Sequence, residues 1–130
     1  MTGVIRVFRV NREQVLGRLR AWAQSLPDRP EVLRVVLFGS YARGDSTAAS
    51  DADILILLRD SALRFDERIP LYHPTGLGVS VDVFPYTVAE ARQGIEEGWG
   101  VVRIALAEGQ TLYAAPGTPA LFDAQPAAPK

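Results

Sequence analysis

The chain contains no cysteine among its 130 residues, so neither a disulfide framework nor a thiolate metal site is available to it. It also lacks an excess of either charge: 14 Lys and Arg stand against 15 Asp and Glu, a formal net charge of −1. That balance gives no general attraction to nucleic acid or to an anionic membrane. No apolar run approaches the roughly 20 residues needed to span a bilayer. Arg6, Arg9 and Arg12 lie among apolar residues near the N-terminus, but no signal-peptide core or cleavage site follows them. The default expectation is therefore a cytoplasmic protein with no membrane association. Internal repeats are absent as well. What is present is ordinary for a globular domain with one core: 48% hydrophobic and 22% charged residues.

The informative stretch is Val35 to Leu58, VVLFGSYARGDSTAASDADILILL. Its apolar start, Val35 to Phe38, reads as a buried strand that stops at Gly39-Ser40, where a tight turn opens a short helix. Small residues then lead to Asp51-Ala52-Asp53 and a second apolar run, Ile54 to Leu58. In a strand, residues two apart share a face, so Asp51 and Asp53 point the same way. Two carboxylates held side by side repel unless a cation lies between them, which suggests a site for a divalent metal. Gly39 permits close approach of the backbone to an oxygen, Ser40 adds a hydroxyl, and a strand-to-helix corner favours phosphate. A lone Gly-Ser means little, because turns use it constantly. Gly-Ser followed after ten residues by Asp-x-Asp, between two buried strands, is far more specific. It places an anion-binding corner beside a cation-binding pair, the equipment for a Mg²⁺–nucleoside triphosphate.

Around this centre the spacing predicts the other elements. Residues 4–10 read as a short strand. Asn11 reads as a helix N-cap with Gln14 as its capping-box partner, and Val15, Leu19, Trp22 and Leu26 mark one face of a helix over about 12–26, ended by Pro27 and Pro30. Trp22 reads as core packing rather than a base-stacking group. Val32–Phe38 and Ala52–Leu58 are the central strands, with a short helix at Ser40–Arg43 and a loop at 45–50. Residues 59–76, interrupted by Pro70 and Pro74, read as loop with at most one helical turn, and the sole histidine, His73, as structural rather than a ligand. Val79–Phe84 alternates as a third strand. On its own Asp82 there is a solvated residue of an exposed face; beside an Asp51–Asp53 pair it gains a second reading as a third oxygen ligand and a general base. Thr87 and Glu90 form a capping box that starts a helix at Val88, and Gly94, Gly98 and Gly100 predict a break into two helices before Gly109. A last strand follows at 110–114. Arg43 has two open readings, a phosphate ligand or a partner of Asp45.

LFGSYARGDSTAASDADILILL resembles the signature of the minimal nucleotidyltransferases of the DNA polymerase β-like superfamily, whose Gly-Ser, ten residues, Asp-x-Asp pattern is met by Gly39, Ser40, Asp51 and Asp53. Asp82 in VDVF matches the later strand carboxylate, and EGQTLY is similar to the usual close of such domains. The resemblance implies an α+β nucleotidyltransferase fold, a mixed, partly antiparallel sheet of about four or five strands with helices packed against it. The resemblance covers about residues 11–114; the domain is taken as 1–115, and from Pro116 the Pro- and Ala-rich composition of 116–130 reads as a disordered tail. The resemblance implies ATP as cosubstrate and Mg²⁺ as cofactor. Asp51, Asp53 and Asp82 become the catalytic, metal-holding residues, and Gly39, Ser40 and Arg43 the nucleotide-binding ones. It further implies an antitoxin that transfers AMP to a tyrosine of a HEPN-domain ribonuclease toxin. Two alternatives stay open. One is a non-catalytic antitoxin that masks its partner. The other is a small-molecule transferase of the aminoglycoside type, whose acceptor pocket would need dimerisation. A polymerase is disfavoured, since no basic template-binding domain is present.

Overall fold

The computed structural model describes residues 12–46, 50–98 and 100–118. The readings of a strand at 4–10 and of Asn11 as a cap lie outside the described residues, as do residues 47–49 of the loop, Trp99 and 119–130 of the tail.

Helix α1 (Arg12–Ala23) and a single 3-10 turn (Leu26–Asp28) lead into strand β1 (Val32–Phe38). Helix α2 (Ser40–Arg43) connects it to β2 (Ala52–Leu58). Helix α3 (Phe65–Tyr72), β3 (Val81–Thr87), α4 (Val88–Glu97), α5 (Val101–Glu108) and β4 (Gln110–Ala114) follow. The four strands form one sheet in the order β3-β2-β1-β4. β1 is antiparallel to β2 and to β4, whereas β2 and β3 run parallel, joined by the crossover that carries α3. The fold is thus α+β with a mixed sheet, as expected.

The apolar runs of β1 and β2, broken only by Arg34 and Asp53, are explained by burial on both faces. On one face Val35, Leu37, Ile54, Ile56 and Leu58 pack with Val15, Leu16 and Leu19 of α1, Tyr41 of α2 and Tyr72 of α3. On the other, Val36, Phe38, Leu55 and Leu57 pack with Ala91 of α4 and Val102 and Ala105 of α5. The α4–α5 break falls where the glycines predicted it: Gly98 (φ 75°) caps one helix and Gly100 (φ 82°) opens the next, a left-handed conformation that costs other residues more.

Three local expectations shift. The first helix ends at Ala23 rather than near residue 26, because the Ser25 amide and hydroxyl both turn back onto the Trp22 carbonyl, at 3.0 and 2.5 Å. Trp22 itself is partly buried against the core, as read. Residues 59–76 hold a real helix, α3, despite Pro70. The third strand runs Val81–Thr87, starting two residues after Val79 and continuing beyond Phe84 through Pro85. Those last two findings have one cause. The Arg68 side chain of α3, 4% exposed, donates to the Pro85 carbonyl at 3.0 Å, and His73 Nε2 meets the Val81 carbonyl at 2.9 Å. Residues 81 and 85 alternate onto the same edge of β3, so α3 covers the carbonyls that β3 would otherwise present to water. Proline is tolerated there because an edge position needs no ladder N–H.

Candidate active site

The acidic groups meet where β2 and β3 begin. Asp51 immediately precedes β2, and the Ala52 amide donates to the Ser80 carbonyl at 2.9 Å, which fixes the two parallel strands in register. That register sets Asp53 directly beside Asp82. Ala52 is buried while Asp51 is exposed and Asp53 half-buried, the alternation expected of two carboxylates around a buried alanine. Asp82 is exposed. On the antiparallel side Asp53 pairs with Phe38, the last residue of β1, so Gly39 lies next to it. Gly39 has φ 78°, and a Cβ there would collide with the Asp53 carboxylate. Only glycine permits both the turn and this approach.

The electrostatics follow from that placement. The Asp53 carboxyl is held above the usual carboxylate range, first by burial, then by the negative charges of Asp82 and Asp51; Arg43 works in the opposite sense. Like charges collected on a half-buried group are unfavourable for the fold alone. The donor set is all hard carboxylate oxygen, the chemistry that suits a divalent cation such as Mg²⁺. Among the described residues no group of three His, Cys, Asp or Glu side chains is already arranged as a metal cage.

The corner after β1 contains a residue that the sequence reading missed. Glu108, the last residue of α5, accepts the Gly39 N–H at 2.8 Å and the Arg43 Nη1 at 3.1 Å through one oxygen, Oε2. Arg43 also donates from Nε to Asp45 at 3.3 Å, so the contact with Asp45 is real and leaves part of the guanidinium for another anion. A signal for Glu108 existed. An acid in the last turn of a helix opposes the helix dipole and calls for a compensating partner. Next to the corner, Tyr41 is fully buried with no partner for its hydroxyl among the described residues, and its phenol is pushed up by burial and then by Asp51. Arg12 clamps the Tyr41 carbonyl from Nε and Nη2 at 3.0 and 2.7 Å, tying α1 to the far end of α2. His73 is remote in role: both ring nitrogens face backbone carbonyls, those of Pro74 and Val81.

Sequence and fold comparisons point in one direction. The model of the nucleotidyltransferase domain family matches residues 19–112. MJ0604 of Methanocaldococcus jannaschii, provisionally named as a protein adenylyltransferase, is 36% identical over 85 residues, which are 65% of this chain and 82% of that protein. A crystal structure of a protein assigned as a nucleotidyltransferase from Sulfolobus solfataricus superposes with a TM-score of 0.57 at 18% identity, covering 82% of this chain and 86% of the other. A crystal structure of a toxin-antitoxin with AMP-PNP superposes with a TM-score of 0.50 at 23% identity, covering 87% of this chain and 81% of the other. At these identities the two structures speak for the fold.

Proposed function

This chain belongs to the nucleotidyltransferase domain family, and from that premise we propose that it transfers AMP from ATP to a hydroxyl of a protein partner, acting as the antitoxin of a toxin–antitoxin pair. The observation that carries the reading is the register of β2 with β3, which sets Asp53 against Asp82 with Asp51 one step away and the Gly39 corner alongside.

Asp51, Asp53 and Asp82 are the residues that would hold Mg²⁺. When bound, the cation offsets the charge of the triphosphate and of the departing pyrophosphate. The chain's own groups do the rest. The Gly39 N–H, Ser40 and the Arg43 guanidinium hold phosphate oxygens and orient the α-phosphorus. Asp82, exposed at the strand edge, accepts the acceptor hydroxyl's proton. The hydroxyl oxygen bonds to the α-phosphorus as the bond from that phosphorus to the bridging oxygen breaks, and pyrophosphate leaves. Adenylyl transfer to protein is supported by the name of MJ0604, and a toxin partner with an adenine nucleotide by the toxin-antitoxin neighbour with AMP-PNP. A HEPN-type helical ribonuclease with an acceptor tyrosine is the partner this reading specifies. No helix among the described residues is long and apolar enough to cross a membrane.

The test is incubation with ATP labelled on the α-phosphate, Mg²⁺ and the protein encoded beside this chain. The reading expects label on a tyrosine of that partner, and none when the label is on the γ-phosphate or when Asp53→Asn protein is used. Protection of cells from the toxin by the double variant Asp51→Asn/Asp53→Asn would contradict it and favour masking by binding alone.

A further inference from the structure

Glu108 stands where the proposed reaction needs an anion to arrive. Its Oε2 takes the Gly39 N–H and the Arg43 Nη1 together, at 2.8 and 3.1 Å. Those are two of the donors assigned above to a phosphate oxygen. A carboxylate oxygen and a phosphate oxygen compete for the same donors, because each is a compact anionic acceptor.

The placement of Glu108 is built into the fold. Helix α5 packs Val102 and Ala105 on the sheet and ends at Glu108. The next residue, Gly109, lies so close to β1 that a Cβ there would collide with the Ala105 carbonyl and the Val36 side chain. The end of α5 is therefore pinned against β1 beside the corner. The Glu108 side chain is 27% exposed, enough for it to swing toward water without unpacking the helix. Arg43 is not left loose by such a movement. Its Nε stays with Asp45, so the guanidinium remains oriented while Nη1 becomes free.

Resting on the function proposed above, we infer that Glu108 is an intramolecular stand-in for phosphate: it occupies the Gly39–Arg43 corner of the free protein, and the nucleotide must displace it. Its role is to set nucleotide affinity. An enzyme whose corner is filled by its own carboxylate binds triphosphate more weakly than one whose corner is open, by the fraction of time the corner is free. The opposite possibility is that Glu108 only orients Arg43, in which case its loss weakens binding.

Dissociation constants of ATP, of inorganic triphosphate and of adenosine, each measured with Mg²⁺ for wild type, Glu108→Gln and Glu108→Ala, separate these cases. Thermal melting of each variant reports folding independently. The inference expects ATP and inorganic triphosphate to bind about tenfold more tightly to Glu108→Ala, less so to Glu108→Gln, which keeps an acceptor oxygen, with adenosine unchanged. Unchanged or weaker ATP binding in both variants, with wild type binding normally, overturns the inference and leaves the proposed function standing. Failure of all three proteins to bind ATP overturns both.

Discussion

Two of the half-buried carboxylates among the described residues, Glu90 and Asp53, are treated oppositely by the fold. At the α3–α4 junction Glu90 receives Arg68 at 2.7 and 3.1 Å and also closes the capping box of α4, accepting the Thr87 N–H at 2.9 Å. Its carboxyl is held below the ordinary range, chiefly by the Arg68 hydrogen bond. At the β2–β3 end Asp53 receives two more carboxylates and burial, and its carboxyl is held above that range. The first junction is complete within the chain. At the second, Arg43 alone works against the gathered negative charge. Local conflicts in a fold concentrate at functional sites, and this difference in charge compensation supports the β2–β3 end as the candidate site on grounds independent of sequence motif.

The comparison is broken most directly by removing one charge at each place. Asp53→Asn should reduce AMP transfer on the order of a thousandfold, measured by label incorporation, while the melting temperature stays level or rises. A melting temperature that falls by many degrees would mean that Asp53 is structural after all. Arg68→Met should do the reverse at the other junction. It leaves Glu90 beside a buried apolar side chain and costs about 3 kcal/mol in urea unfolding, at the low end for a broken pair because Glu90 is 38% exposed. Addition of Mg²⁺ sharpens the contrast: at tenfold excess over its dissociation constant it should raise the wild-type melting temperature by about 4 °C and leave Asp53→Asn unmoved.

The smallest expected effect is the pH dependence, and its sign differs between the two places. Glu90 has a lowered folded value, so its stabilisation is present above the unfolded carboxylate value of 4.5 and is lost as pH falls through the lower folded one. The stability gap between wild type and Glu90→Gln should therefore close on acidification. Asp53 has a raised folded value, so its ionisation works against the fold as pH rises through that value. Any gain from Asp53→Asn should be larger at neutral pH than in acid. Denaturation midpoints over that range decide both.

These two junctions also mark what was legible in the sequence. β1, β2 and the corner between them could be read because apolar runs and a fixed spacing are local signals. The α4 cap at Thr87 and the glycine break were legible for the same reason. Helix α3 was not, because its apolar positions are few, Pro70 lies inside it, and what holds it is distant: Arg68 on Pro85 and Glu90, and Tyr72 on Glu31 at 2.6 Å. β3 was read short because proline normally ends a strand, and only the sheet order shows that Pro85 sits on an edge. Asp82 was legible only through its company with Asp51 and Asp53. Glu108 was missed because it reaches the corner from the opposite end of the chain, across 69 positions to Gly39.

The most direct test is binding of ATP to wild type and to Asp82→Asn, each with Mg²⁺ and with the metal removed by chelation. The account predicts tight binding only for wild type with Mg²⁺, because on the proposed function the triphosphate is held through the cation and the cation through all three carboxylates. Equal binding with and without metal, or an Asp82→Asn protein indistinguishable from wild type, would contradict it.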